Sequence, residues 1–83
     1  MSKDLILSDQ AKADLAAIER GTRVRIASAL KRFAETSTGN VKKLQGINPP
    51  EYRLRVGDWR VRFHQDKDSI FVERVLNRRE AYR

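Results

Sequence analysis

Apolar residues alternate strictly with arginines between Tyr52 and Phe63: Tyr52-Arg53-Leu54-Arg55-Val56, then Gly57-Asp58, then Trp59-Arg60-Val61-Arg62-Phe63. A period of two predicts strands. The Gly-Asp pair between two such runs predicts a two-residue hairpin turn, because Gly accepts the positive φ that the turn requires. The register follows: Val56 faces Trp59, Leu54 faces Val61 and Tyr52 faces Phe63 on one side of the sheet. On the other side Arg55 faces Arg60 and Arg53 faces Arg62. Like charges directly opposite one another destabilise a sheet. A face carrying these guanidiniums therefore predicts an anionic ligand. Replacing Arg55 or Arg62 by Gln is expected to leave stability unchanged or to raise it slightly.

Upstream of the hairpin the period changes. Lys3 to Leu7 predicts a short first strand, and Ser8 an N-cap, with Asp9 in the first turn where a negative charge suits the helix dipole. Ala11, Leu15 and Ile18 make the stripe of an amphipathic helix, which Gly21 is expected to end, with Thr22 capping the next. In that second helix Ile26, Leu30 and Phe33 repeat the spacing, with Ala27 and Ala34 beside them. The two helices predict a helical hairpin covering the apolar face of the sheet. Arg23, Arg25, Lys31 and Arg32 read as its solvated side.

Residues 36–50, rich in Thr, Ser, Gly, Asn and Pro, predict a loop in which Val41 and Leu44 reach the core and Lys42 and Lys43 stay in water. Asp66-Lys67-Asp68 predicts a turn, and Ile70 to Leu76 the last strand. A loop at Asp66 and Lys67 would set Ile70 opposite Phe63 and Val72 opposite Val61. The same register sets Phe71 opposite Arg62 and Glu73 opposite Arg60. The expected fold class is α+β, ordered β-α-α-β-β-β, with a twisted antiparallel sheet packed on a helical hairpin. At 83 residues the chain is expected to be a single domain.

Charge sharpens the picture. The chain carries 18 Lys and Arg against 11 Asp and Glu, a net charge of +7, which points to a polyanionic partner, nucleic acid first. Absence of cysteine excludes a disulfide framework and thiolate chemistry. No apolar run is long enough for a membrane span or a signal peptide, so a cytoplasmic protein without a membrane partner is expected.

Guanidiniums bind phosphate through paired planar hydrogen bonds and stay charged at any relevant pH. Arg53, Arg55, Arg60 and Arg62, followed after the last strand by Arg78 and Arg79, could hold an RNA backbone and stabilise a phosphorane-like transition state. For Arg62, a binding role and neutralisation by Glu51 or Glu73 stand equal. Phe71 either stacks on a base or packs under a loop. Tyr82 either closes the core or presents its hydroxyl to the scissile bond. His64, the one histidine, is a strand-end residue or an acid/base. The carboxylates show no metal-ligand spacing, so neither metal nor other cofactor is expected.

Three motifs together resemble the RelE/ParE superfamily of type II toxin–antitoxin toxins, specifically its RelE-like ribonuclease branch. They are Lys43-Leu44-Gln45-Gly46, the hairpin from Tyr52 to Val61, and Asn77-Arg78-Arg79-Glu80-Ala81-Tyr82-Arg83. The resemblance implies an mRNA endoribonuclease that acts in the ribosomal A site without a metal. There the 2′-hydroxyl attacks the adjacent phosphate and leaves a 2′,3′-cyclic phosphate and a 5′-hydroxyl. It implies roles at the cleavage site for Arg53, Arg55, Arg60, Arg78 and Tyr82, and a cognate antitoxin, expected to carry an acidic segment; the arginine face itself adds RNA binding by Arg53, Arg62, Arg79 and Phe71. The chain departs from the family where Arg53 and Arg55 replace lysines and where Asn77 stands in a position often held by histidine. Guanidinium is a poor proton carrier, which leaves Tyr82, Glu73 and His64 as bases. The alternatives are a ParE-like toxin that inhibits gyrase by contact and a catalytically inactive partner with the toxin fold.

Overall fold

The computed structural model describes residues 2–44, 46 and 49–81, and of residues 80 and 81 the backbone alone. The chain begins with β1 (Asp4–Leu7), which leads into α1 (Asp9–Ala16) and α2 (Arg20–Thr36). Four strands follow, β2 (Val41–Lys43), β3 (Tyr52–Val56), β4 (Trp59–Gln65) and β5 (Ser69–Asn77), and then the short α3 (Arg78–Ala81). The α+β class expected from the sequence is the one observed. The sheet is five-stranded and mixed, in the order β1-β5-β4-β3-β2, with β1 parallel to β5 and the other pairings antiparallel.

Ser8 caps α1 as expected, its hydroxyl accepting the Ala11 N–H at 2.9 Å. Gly21 does not end that helix. α1 closes at Ala17, and Glu19, not Thr22, caps α2, its carboxylate accepting both the Thr22 N–H and the Thr22 hydroxyl at 2.9 Å. Those two bonds hold the Glu19 carboxyl below its ordinary value. A Cβ at Gly21 would sit 3.0 Å from the Glu19 carboxylate, so the glycine leaves room for the cap. Ala27 is exposed, while Ile26, Leu30, Phe33 and Ala34 form the buried stripe. They pack on Leu54, Val61, Phe63, Ile70, Val72 and Val75 of the sheet. Phe63 is fully buried, with the rings of Phe33 and Tyr52 each centred 5.4 Å from its own.

The β3–β4 hairpin has the predicted register throughout, and Gly57 takes φ +59 in its turn. Two other expectations are corrected. Within the predicted loop, Val41–Lys43 is a strand, with Val41 opposite Leu54 and Lys42 opposite Arg53. Its entry depends on Gly39, where a Cβ would come within 3.1 Å of the Leu54 side chain. Leu44, also expected in the core, is half-buried beyond the strand's end.

The second correction is the register of β5. Phe63 pairs with Val72 rather than Ile70, and Phe71 pairs with His64 rather than Arg62. A bulge then moves the ladder on, so Arg74 faces Arg62 and Leu76, not Glu73, faces Arg60. Partners distant in sequence hold that irregularity. The Ser8 hydroxyl donates to the Glu73 carbonyl at 2.8 Å, and Asp14 of α1 accepts the Val75 N–H at 2.9 Å. Among the described residues, no helix is long and apolar enough to cross a membrane.

Candidate functional site

The sheet face turned away from the helices is crossed by rows of side chains set by the register. One row runs Lys42, Arg53, Arg62, Arg74 across four strands. The next runs Arg55, Arg60, Leu76, with Asn40 beside Arg55, whose N–H donates to the Asn40 carbonyl at 2.9 Å. At the other end of the face, His64, Phe71 and Ile6 lie side by side.

Carboxylates neutralise one part of this face. Arg62 donates from Nε and Nη2 to Glu51 Oε1 at 3.1 and 2.8 Å, and Glu51 is only 4% exposed. Arg74 donates to both oxygens of Asp14, at 2.9 and 3.3 Å. Burial pushes the Asp14 carboxyl up, but the Arg74 hydrogen bond, the Val75 and Gln10 hydrogen bonds and the Arg74 charge together hold it below its ordinary value.

His64 is wedged between two acceptors. Its Nδ1 lies 2.8 Å from the Pro50 carbonyl and its Nε2 2.8 Å from Glu73 Oε1. A carbonyl oxygen can only accept, so Nδ1 donates, and Nε2 and the carboxylate share the remaining contact. The sequence shows no metal-ligand spacing, yet the fold brings ligand atoms of Glu51, His64 and Glu73 within 4.8 Å of one another. Two carboxylates and an imidazole are a donor set that divalent cations accept. Here the chain's own groups already engage it, Arg62 on Glu51 and His64 on Glu73.

The part of the face around β2 and β3 is cationic. Asn40, Lys42, Arg53, Arg55 and Arg60 line a cavity of about 220 Å³, and none of these lining residues is acidic. Arg55 and Lys42 are exposed, and Arg53 is half-buried. Arg60 is only 6% exposed. Its Nη1 donates at 3.0 Å to the carbonyls of Gly57 and Trp59, so one edge of the guanidinium fastens the hairpin turn. Lys42 and Asn40 were legible in sequence only as loop residues. The available signal was the inward Val41 set between polar neighbours, a strand alternation too short to stand out.

Arg78 and Arg79 do not line this cavity. With Asp58 and Asn77 they line a separate cleft of about 610 Å³. Asn77 starts α3, its side chain accepting the Arg79 N–H at 3.2 Å, and the Arg78 N–H donates to the Asp58 carbonyl at 2.6 Å. Phe71 and Ile6, 39% and 46% exposed, form an adjacent apolar pair. Tyr82 lies outside the described residues.

Residues 5–82 match the family described as the ParE toxin of type II toxin-antitoxin systems, parDE. The fold is similar to that in the RelB-RelE antitoxin-toxin complex from Methanococcus jannaschii, with a TM-score of 0.76 and 25% identity, over 93% of this chain and 94% of that one. It is similar also to the RelE-RelB complex from Pyrococcus horikoshii OT3, with a TM-score of 0.78 and 20% identity over 94% and 97% of the two chains. A chain of the E. coli DinJ-YafQ toxin-antitoxin complex superposes over 100% of both chains with a TM-score of 0.79 at 12% identity. No curated protein matches the sequence.

Proposed function

We propose that this chain, which belongs to the ParE toxin family of type II toxin–antitoxin systems, is a ribosome-dependent mRNA endoribonuclease of the RelE-like kind. The observation that carries this reading is the cavity of Asn40, Lys42, Arg53, Arg55 and Arg60, cationic and free of acidic lining residues on a face otherwise neutralised. A phosphodiester held there would meet guanidinium donors at the point where charge develops as the 2′-oxygen attacks phosphorus. No metal step is needed, because the arginines supply the positive charge. The products would be a 2′,3′-cyclic phosphate and a 5′-hydroxyl.

The other candidate residues take supporting roles. Arg78 and Arg79, in the cleft beyond the hairpin turn, would hold flanking phosphates. Phe71, widened by Ile6, offers a surface on which a base can stack. Arg62 is committed to Glu51, so its charge is balanced by that carboxylate rather than offered to RNA. His64 and Glu73 are in contact, Nε2 to Oε1 at 2.8 Å, but His64 stands four residues from Arg60 along β4, about 13 Å at the rise of a strand. They would act on groups at that end of the face. Tyr82, four residues after Arg78 in the chain, keeps the catalytic role that the resemblance implies.

Similar solved structures are antitoxin–toxin complexes, which supports an antitoxin partner. An acidic antitoxin segment over the arginine face would block phosphate and neutralise the surplus charge. A second reading, a gyrase-inhibiting toxin, is favoured by the ParE name of the matching family. Cleavage of ribosome-bound mRNA assayed beside gyrase supercoiling separates them. The ribonuclease reading expects cut mRNA and undisturbed supercoiling. Intact mRNA with blocked supercoiling would establish the second reading, and no effect in either assay an inactive partner.

A further inference from the structure

We infer that Lys42 is the general acid of the proposed cleavage, protonating the 5′-oxygen as it leaves. This inference rests on the ribonuclease reading above. Cleavage by the 2′-hydroxyl forms a bond from the 2′-oxygen to phosphorus and breaks the bond from phosphorus to the 5′-oxygen. The 2′-proton passes to water, and the departing alkoxide needs a proton in return. A side chain that supplies it must reach the phosphate held by the arginines and must have a proton to give.

The cavity itself narrows the choice. Arg53, Arg55 and Arg60 keep their protons, since a guanidinium is too basic to serve as an acid, and the Asn40 amide does not ionise. Lys42 is the remaining lining residue, and an ammonium can give up a proton and recover one from solvent. The register places it directly opposite Arg53, and it is exposed, so both substrate and water can reach it. Among the described residues, the other titratable groups of this face that the sequence offered as acids or bases are engaged elsewhere: Glu51 with Arg62, His64 with Pro50 and Glu73.

β2 makes this arrangement possible. Val41 turns inward opposite Leu54, which forces Lys42 to the arginine side of the sheet. Gly39 brings the strand close enough to seat there. The hairpin thus supplies arginines to the cavity, while the neighbouring strand adds a lysine to its lining.

The test is single-turnover cleavage of ribosome-bound mRNA by the parent, Lys42→Ala and Lys42→Arg, on two substrates. One carries the normal 5′-oxygen at the cut site. The other carries a bridging 5′-sulfur, whose thiolate departs without a proton. On the normal substrate both variants should lose about 100- to 10,000-fold in rate. On the sulfur substrate both should return close to the parental rate. Thermal midpoints should match, because the Lys42 side chain is exposed and both substitutions keep the backbone of β2. A variant that cuts the normal substrate at the parental rate, or loses equally on both substrates, overturns the assignment. A parent that cuts neither substrate overturns instead the ribonuclease reading on which it rests.

Discussion

Arg62 and Glu51 are joined by two hydrogen bonds to one carboxylate oxygen, at 3.1 and 2.8 Å, and the carboxylate is almost wholly buried. The cross-strand pair Arg53 and Arg62 is therefore not a bare pair of like charges, because Glu51 neutralises one member. Removing Arg62 strands a buried carboxylate. The expectation from charge repulsion alone, that Arg62→Gln is neutral or stabilising, gives way to a loss of about 1–3 kcal/mol. Urea denaturation should show it, and Glu51→Gln combined with Arg62→Gln should recover much of the loss. If Arg62→Gln unfolds at the parental midpoint, the pair contributes nothing to the fold.

Asp14 ties α1 to β5 just beyond the bulge, through Arg74 and the Val75 N–H. Its carboxyl is held below the ordinary value of 3.8. The unfolded chain therefore takes up the Asp14 proton more readily than the folded one. The stability this site contributes is complete above that ordinary value and drains away as pH falls through the lower folded one. Asp14→Asn should lower stability at neutral pH and flatten the pH dependence below about pH 4. Melts from pH 2 to 7 check this; parallel acid limbs for the parent and the variant would contradict it.

Local chemistry made the hairpin readable. A Gly-Asp turn and a strict alternation fix five cross-strand pairs without reference to the rest of the chain. Ser8 was readable for the same reason, since its bond to the Ala11 N–H lies within one turn. The β5 register was not. It depends on a bulge held by Ser8 and Asp14 from the opposite end of the chain, and no alternation within Ile70 to Leu76 encodes that extra residue. β2 escaped because three residues carry too little periodicity, so Lys42 entered the site only once Val41 had a partner. Gly21 misled because glycine usually ends a helix, whereas here it makes space for a glutamate cap. Glu51, His64 and Glu73 are far apart in sequence and meet only through the pairing of β4 with β5 and the approach of Pro50.

An acidic antitoxin segment docking on this face would be drawn to it by long-range attraction. Its association rate should fall steeply between low and physiological salt, with a weaker response in dissociation. Arg53→Gln combined with Arg55→Gln should shallow that dependence. Stopped-flow mixing across a salt series provides the measurement, and a rate indifferent to ionic strength would place the antitoxin on another surface.

Arg55 isolates the central claim, that the cationic cavity is where RNA is cut. It lines the cavity, is exposed, and faces the like charge of Arg60 across the hairpin. Its removal should therefore leave stability unchanged or slightly raised, whereas Arg60 also fastens the turn and would confuse the two effects. The decisive measurement is the rate at which the parent and Arg55→Ala cleave ribosome-bound mRNA in a single turnover, with melting midpoints taken on the same samples. The parent should cut, and the variant should be slower by roughly 2–4 kcal/mol of transition-state stabilisation, about 30- to 1,000-fold, at an unchanged midpoint. Equal rates for the two proteins, or no cutting by the parent, would contradict the account.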